Sequence, residues 1–384
     1  MYKRGIVVGK FDPLHRGHVD MIQWASGKAE EIIVVISHSD IVSDALYASS
    51  NLTKKLTKYD KLKIVQKTFQ QQPNIYAVLV DETDCPMYPD GWASWSDLVK
   101  KGVSSVEGVS IEGQRAISKT AWEDTVFFSS EPQDEINYKK YFGCKGVALY
   151  DPARERSKVS ATKIRKDPNK YWEYLPRASK ELLSPMIEIS GGESSGKTVM
   201  VDKLGNYYGT PTVWERGRLW AKDELGGDEL ALQSYDYTRI AISHHEDVMF
   251  AKRNATRFAI TDTKYVSTQA FSITYEGEEN AIVEDLIIAD PSDLVILLDN
   301  STKWVNDGMR KVGEPSKRQK FQELLKELYH RYNIPYVEIK DSDYANRYEL
   351  CKMVIDGYIN DYLSVVELQE IVNKAEAKFI ADKE

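Results

Sequence analysis

The sequence predicts an α/β protein made of two parallel-sheet domains, and three observations predict it. Short apolar runs rich in β-branched residues recur at 6–8, 32–36, 75–80, 126–128 and 147–150, and again at 186–189, 258–260, 294–298 and 336–339. Charged stretches with helical periodicity, such as 60–70 and 317–332, lie between most of them, and strands alternating with helices build parallel layers. The runs are continuous rather than alternating, which suits strands covered on both faces. Each series opens with a strand that runs directly into a phosphate-type loop, once at residues 9–18 and once at 191–198.

A chain of 384 residues exceeds one ordinary domain. Pro176 and Pro185 flank a short charged stretch, which puts the boundary there and the domains at 1–180 and 181–384. No internal repeat or low-complexity segment is seen, and residues 365–384 read as a packed or fraying terminal amphipathic helix. Hydrophobic residues at 42% and charged residues at 29% suit a globular chain. The net charge of −8 argues against a large nucleic-acid footprint but not against phosphate held by loops and helix N-termini. Cys85, Cys144 and Cys351 are far apart, as expected of ordinary thiols in a reducing compartment. Without an apolar leader or a run of about 18 apolar residues, a cytoplasmic protein with no membrane span is expected. A homo-oligomer is compatible with all of this.

The first loop reads Gly9-Lys10-Phe11-Asp12-Pro13-Leu14-His15-Arg16-Gly17-His18 and enters a helix. Two histidines three apart at a strand-to-helix turn can face one ligand, where free N–H groups and the helix dipole favour phosphate. Gly17 allows close backbone approach and Gly9 leaves room above the strand end. A second segment, Ser160-Ala161-Thr162-Lys163-Ile164-Arg165, closes the domain. Together they resemble the H-x-G-H signature and the hydroxyl-rich turn ending in arginine of the nucleotidyltransferase superfamily. That resemblance implies a Rossmann-like domain in which a substrate phosphate attacks the α-phosphate of ATP. It implies that His18 donates to that phosphate, that His15 and Arg165 grip the phosphate chain, and that Lys10, Phe11, Ser160 and Thr162 lie against ATP.

The second loop, Gly191-Gly192-Glu193-Ser194-Ser195-Gly196-Lys197-Thr198, is a full G-x-x-x-x-G-K-T phosphate loop between a strand and a helix. Its backbone N–H groups should wrap the β-phosphate, Lys197 should bridge the terminal phosphates, and Thr198 should hold Mg²⁺. Asp262 ends the apolar segment 258–262 and is the expected second metal-side group. Glu215 follows a short strand at 212–214 and is a candidate for a substrate hydroxyl. The segment from Trp304 to Arg310 is a candidate cover over the nucleotide, with Arg310 supplying charge to the moving phosphoryl group. Lys311, Lys317 and Arg318 extend this basic segment, and a solvated basic helix remains a credible reading of Lys317 and Arg318. His38, His244, His245 and His330 have no partner pattern and carry no assigned role.

The order of these features is similar to that of the NadR family of nicotinamide mononucleotide adenylyltransferases and ribosylnicotinamide kinases. The likeness rests on both loops, on residues 88–92, 129–132 and 160–165, and on 214–218, 262–271 and 304–308. It implies a nucleotidyltransferase domain that makes NAD from ATP and nicotinamide mononucleotide, and a kinase domain that makes the mononucleotide from ATP and nicotinamide riboside. Trp92 or Trp95 in the first domain, and Trp304 in the second, are the implied stacking residues for a flat cationic ring, although half-buried packing explains each as well. Glu215, Asp307 and Arg218 are implied neighbours of the ribose. Some members carry an N-terminal helix-turn-helix domain, whereas this chain starts at the first strand, so no DNA binding is expected. Asp12 and Lys163 read as tolerated variations within the motifs. Another pairing of the two folds, for pantetheine-phosphate or cytidylyl transfer, stays open at this point, as does a slow nucleotide sensor.

Overall fold

The computed structural model describes residues 1–86, 90–109, 116–228, 231–300, 302 and 314–381. The chain divides into two compact units, Met1–Leu183 and Ser184–Glu384. In the first, strands β1 (Tyr2–Gly9), β2 (Ala29–His38), β3 (Ile75–Asp81), β4 (Thr125–Ser129) and β5 (Gly146–Leu149) form one sheet in the order β3-β2-β1-β4-β5. Every pairing is parallel, and β1 lies at the centre with Val7 opposite both Val34 and Phe128. The β-branched residues Ile6, Val7 and Ile32 to Ile36 are fully buried on alternating faces, because helices cover both sides of the sheet. The helix Lys58–Phe69 starts on a capping box in which Thr57 and Asp60 exchange side-chain-to-backbone hydrogen bonds.

The second unit repeats this logic with β6 (Met186–Gly191), β7 (Thr212–Val213), β8 (Ala259–Asp262), β9 (Leu294–Leu298) and β10 (Tyr336–Ile339). The order is β10-β9-β6-β8-β7, again all parallel, with β6 at the centre. All five residues of β9 are buried between two helical layers. Strand β8 starts one residue later than its apolar run and extends through Asp262, which puts that carboxyl on the strand end. The helix Val365–Ala381 is packed: Leu368 and Val372 are buried, and the Gln369 side chain accepts from Glu338 N at 2.7 Å. Among the described residues no helix is long and apolar enough to cross a membrane. In both sheets the central strand ends at the predicted loop, the position from which parallel sheets present ligands.

Candidate active sites

In the first unit His15 caps the helix Arg16–Ser26, its Nδ1 accepting from Gly17 N at 3.2 Å. This brings the two imidazoles together as a stacked pair, 3.8 Å between centroids and 24° between planes. Phe11 has φ 47°, a left-handed conformation that folds its ring over Gly9, where a Cβ would meet Phe11 Cζ at 2.8 Å. The same ring meets His18 edge-on at 5.0 Å. A Cβ on Gly17 would lie 2.5 Å from Ser157 Oγ, so the loop from 151 to 158 packs onto the helix start. Asp151 holds that loop by accepting from Glu155, Arg156 and Ser157 backbone N–H groups.

The two sequence motifs meet. Arg165 donates to the Asp12 carbonyl and, at 3.2 Å, to Thr162 Oγ1. Ser160 is the cap of the helix Ala161–Lys166, accepting from Lys163 N at 3.3 Å. Burial holds His15 down at about 4, with Arg154 adding to the effect. Burial, His15 and Arg154 hold His18 well below the ordinary histidine value. Both rings are therefore neutral near pH 7, and His18 Nδ1 is buried with no hydrogen-bond partner among the described residues.

Lys10, Trp92 and Trp95 are placed apart from the stacked imidazoles. They line a cleft of about 400 Å³ beside the end of β1, with Gly9, Ser37, Glu82 and Tyr138. Trp92 and Trp95 also pack against the core, meeting edge-on at 5.1 Å, so packing and lining are both true of them. Trp95 Nε1 donates to Ser37 Oγ at 3.0 Å, and Ser37 in turn donates to Glu82.

Sequence reasoning missed a buried network beneath the loop. Lys61, 1% exposed, places Nζ 2.6 Å from Asp12 Oδ2, 2.8 Å from Ser43 Oγ and 3.3 Å from His38 Nδ1. His38 Nε2 lies 2.9 Å from Asp40. Asp12 is thus no tolerated variation: its carboxylate is buried and needs Lys61. Lys61→Met should destabilise the first unit by about 3–5 kcal/mol, because a buried carboxylate is left unpaired. Asp12→Asn combined with Lys61→Met should recover much of that loss. Hydrogen exchange of the β1 and β2 amides measures both.

The neutral histidines also set a pH dependence. His15 binds its proton near 4 in the folded state and near 6.5 unfolded, so between those values the unfolded state holds more protons. Stability from His15 is fully present above about 6.5 and is lost as pH falls toward 4. Protection factors of the same amides, with the intrinsic exchange rate at each pH divided out, should fall stepwise from pH 7 to 6 to 5, and His15→Asn should flatten the trend.

In the second unit the phosphate loop is tightly constrained. Gly191 has φ 141°, and a Cβ there would lie 2.4 Å from the Leu298 carbonyl. Gly196 has φ 89°, and its Cβ would enter the Tyr344 ring at 2.6 Å. Lys197 Nζ donates to the Gly192 carbonyl at 3.0 Å, as does Ser195 Oγ at 2.8 Å. Gly192 N donates to Gln322 Oε1 at 2.9 Å, so this amide supports the loop rather than facing a ligand. Arg347 is fully buried and joins Ser195 O to Asp299 O, 2.8 Å from each. Thr302 Oγ1 donates to Ser194 O at 2.8 Å. The supports from Gln322, Thr302 and Arg347 were not legible in sequence, because each lies more than 100 residues from the loop residue it holds.

Thr198 Oγ1 donates to Asp262 Oδ2 at 2.5 Å, which joins the two predicted metal-side residues. Asp262 is fully buried, and its Oδ1 has no partner among the described residues. Burial, then the nearby Glu215, raise its carboxyl to about 6 against the pull of Lys197, Thr198 and Arg218. Glu215 and Arg218 lie 3.6 Å apart. With Phe271 they line both the loop cleft, which includes Glu193, Ser194, Lys197 and Thr198, and a second cleft walled by Tyr237, Ile240, His244 and Tyr275. Arg318 is a correction to the solvated reading: it is buried and donates to Asn300 O and Thr302 O. Lys317 is exposed beside Glu314. Trp304, Asp307 and Arg310 lie outside the described residues.

Two parallel sheets, each presenting a phosphate-type loop from its central strand, define a fused nucleotidyltransferase-like and P-loop chain. Residues 6–167 match the cytidylyltransferase-like family model and residues 186–347 the AAA domain model. The chain belongs to the NadR family. It is 38% identical over 347 residues to the trifunctional NAD biosynthesis/regulator protein NadR of Escherichia coli (strain K12), across 90% of this chain and 81% of that protein. The NadR of Salmonella typhimurium (strain LT2) gives the same identity and coverage. A nicotinamide-nucleotide adenylyltransferase of Methanococcus maripaludis (strain C5) is 27% identical over 49% of this chain and 91% of its own. Among solved structures, a NadR protein in complex with NR has a TM-score of 0.72 at 20% identity, covering 94% of this chain and 96% of that one. At that identity the likeness speaks to the fold.

Proposed function

We propose that this chain makes NAD in two ATP-dependent steps. Residues 181–384 phosphorylate nicotinamide riboside to the mononucleotide, and residues 1–180 adenylylate the mononucleotide. The observation that carries the reading is the pairing of two phosphate loops, each beside an aromatic-walled cleft, in a NadR-family chain. Aromatic walls suit a flat pyridinium ring.

In the first step of assembly the riboside 5′-oxygen attacks the γ-phosphorus of ATP, that P–O bond forms, and the bond to the β-phosphate oxygen breaks to release ADP. Lys197 leaves the Gly192 carbonyl to bridge the terminal phosphates, and Glu215, shared by both clefts, accepts the hydroxyl proton. Arg218 neighbours the ribose, and Trp304, Asp307 and Arg310 are proposed to complete the site. The orphaned Asp262 Oδ1 beside Thr198 fits a hard divalent cation, proposed as magnesium, which when bound neutralises phosphate charge.

In the second step a phosphate oxygen of the mononucleotide attacks the α-phosphorus of another ATP and pyrophosphate leaves. His18 donates to the α-phosphate as charge develops, while His15, Arg165 and Lys10 hold the chain of phosphates. Trp92 and Trp95 wall the ring. The cytoplasm is the proposed location. Incubating pure protein with Mg²⁺-ATP and nicotinamide riboside tests the whole reading: NAD should form. Conversion of supplied mononucleotide with the riboside untouched would give the second unit another substrate, and consumption of neither would overturn the proposal.

A further inference from the structure

His244 lies on the helix Ser234–Asn254, buried, on the face that carries Tyr237 and Ile240 into the second cleft. Its Nε2 is 3.0 Å from Thr261 Oγ1. Thr261 has one hydroxyl proton, and it goes to the Thr263 carbonyl at 2.7 Å. The threonine oxygen can therefore only accept from the imidazole, so Nε2 carries the ring proton and Nδ1 carries a lone pair. Thr263 has φ 62°, unusual for a β-branched residue, so the carbonyl that fixes this tautomer is held by a specific backbone turn directly after Asp262. Tyr265 closes over the ring edge-on at 6.1 Å. Burial, with Lys264 and Arg216 nearby, keeps the imidazole neutral down to about 3.

We propose that His244 is a specificity-determining residue of the second unit, its Nδ1 accepting a hydrogen bond from an uncharged donor of the substrate. This rests on the reading that the second unit takes a pyridine riboside. Such a riboside offers two kinds of donor of the required chemistry, the carboxamide N–H and the ribose hydroxyls. A carboxylate in place of the carboxamide offers no donor and turns its lone pairs toward the one on Nδ1. A neutral acceptor thus selects by what the substrate can donate, not by charge attraction.

The test compares kcat/KM for nicotinamide riboside, nicotinic acid riboside and the 2′-deoxy and 3′-deoxy nicotinamide ribosides, with wild type, His244→Phe and His244→Asn. Wild type should disfavour the analogue lacking the recognised donor by about tenfold, the scale of one buried hydrogen bond. His244→Phe should bring that ratio close to one, and His244→Asn, whose amide oxygen replaces Nδ1, should restore it. A ratio that moves only for the acid analogue identifies the carboxamide; one that moves only for a deoxy analogue identifies that hydroxyl. An even loss across all four substrates, or equal ratios in wild type and His244→Phe, overturns the proposal. If His244→Phe does not fold, Thr261→Val serves, since Nε2–H then loses its acceptor and unchanged ratios would equally overturn it. Wild type inactive on every riboside would instead sink the kinase reading itself.

Discussion

Lys197→Ala is expected to lower mononucleotide formation from nicotinamide riboside by about a thousandfold in kcat/KM, the scale of removing a charge preorganised at a transferring phosphoryl group. NAD formation from ATP and supplied mononucleotide should stay at the wild-type rate. Phosphoryl transfer asks little covalent chemistry of the protein, so positioning and charge supply most of the acceleration. Lys197 is the cation built into the loop itself, parked 3.0 Å from the Gly192 carbonyl. The loop does not need that contact to keep its shape. Arg347 holds Ser195, Thr302 holds Ser194, and Gln322 holds Gly192. Stability should therefore change little, and a drop in turnover can be read as lost charge rather than lost structure. A coupled ADP-release assay on Lys197→Ala and wild type measures it; undiminished riboside phosphorylation in Lys197→Ala would move the kinase site off this loop.

What was legible in the sequence follows from how each feature is written there. A strand covered on both faces must be apolar at every position, so β2 and β9 announce themselves as Ile-Ile-Val-Val-Ile and Leu-Val-Ile-Leu-Leu. Loops that approach phosphate need glycine at particular steps, and Gly17, Gly191 and Gly196 each sit where a Cβ would collide with a neighbour. Such local demands leave a spacing. Support from afar leaves none: Asp12 and Lys61 are 49 residues apart, and Arg347 and Ser195 are 152 apart. Charge misleads in the same places. A lone Lys or Arg in a polar stretch reads as solvated, yet Lys61, Arg318 and Arg347 are buried because a carboxylate or a set of loop carbonyls needs a donor there. His244 was unreadable for this reason too, since its tautomer depends on Thr261, which depends on the backbone of Thr263.

His18→Ala should lower NAD formation about a hundredfold or more in kcat, while the mononucleotide made from the riboside accumulates at the wild-type rate. The ring is held by packing, between His15 at 3.8 Å and Phe11 at 5.0 Å, and burial keeps it uncharged. An uncharged imidazole still donates one N–H, and a fixed donor aimed at developing charge stabilises it without having to reorganise as water does. The effect should fall on kcat more than on KM for ATP, because Arg165 and Lys10, the proposed holders of the ground-state phosphates, remain. His18→Asn, which keeps an N–H of shorter reach, should recover part of the rate, whereas His15→Ala should raise KM and also loosen the helix start that its Nδ1 caps. Equal effects of His18→Ala on kcat and on KM would mean that the ring only helps bind ATP. An unchanged rate would put the α-phosphate donor elsewhere, with Arg154 the next residue to replace, since its charge already bears on both imidazoles.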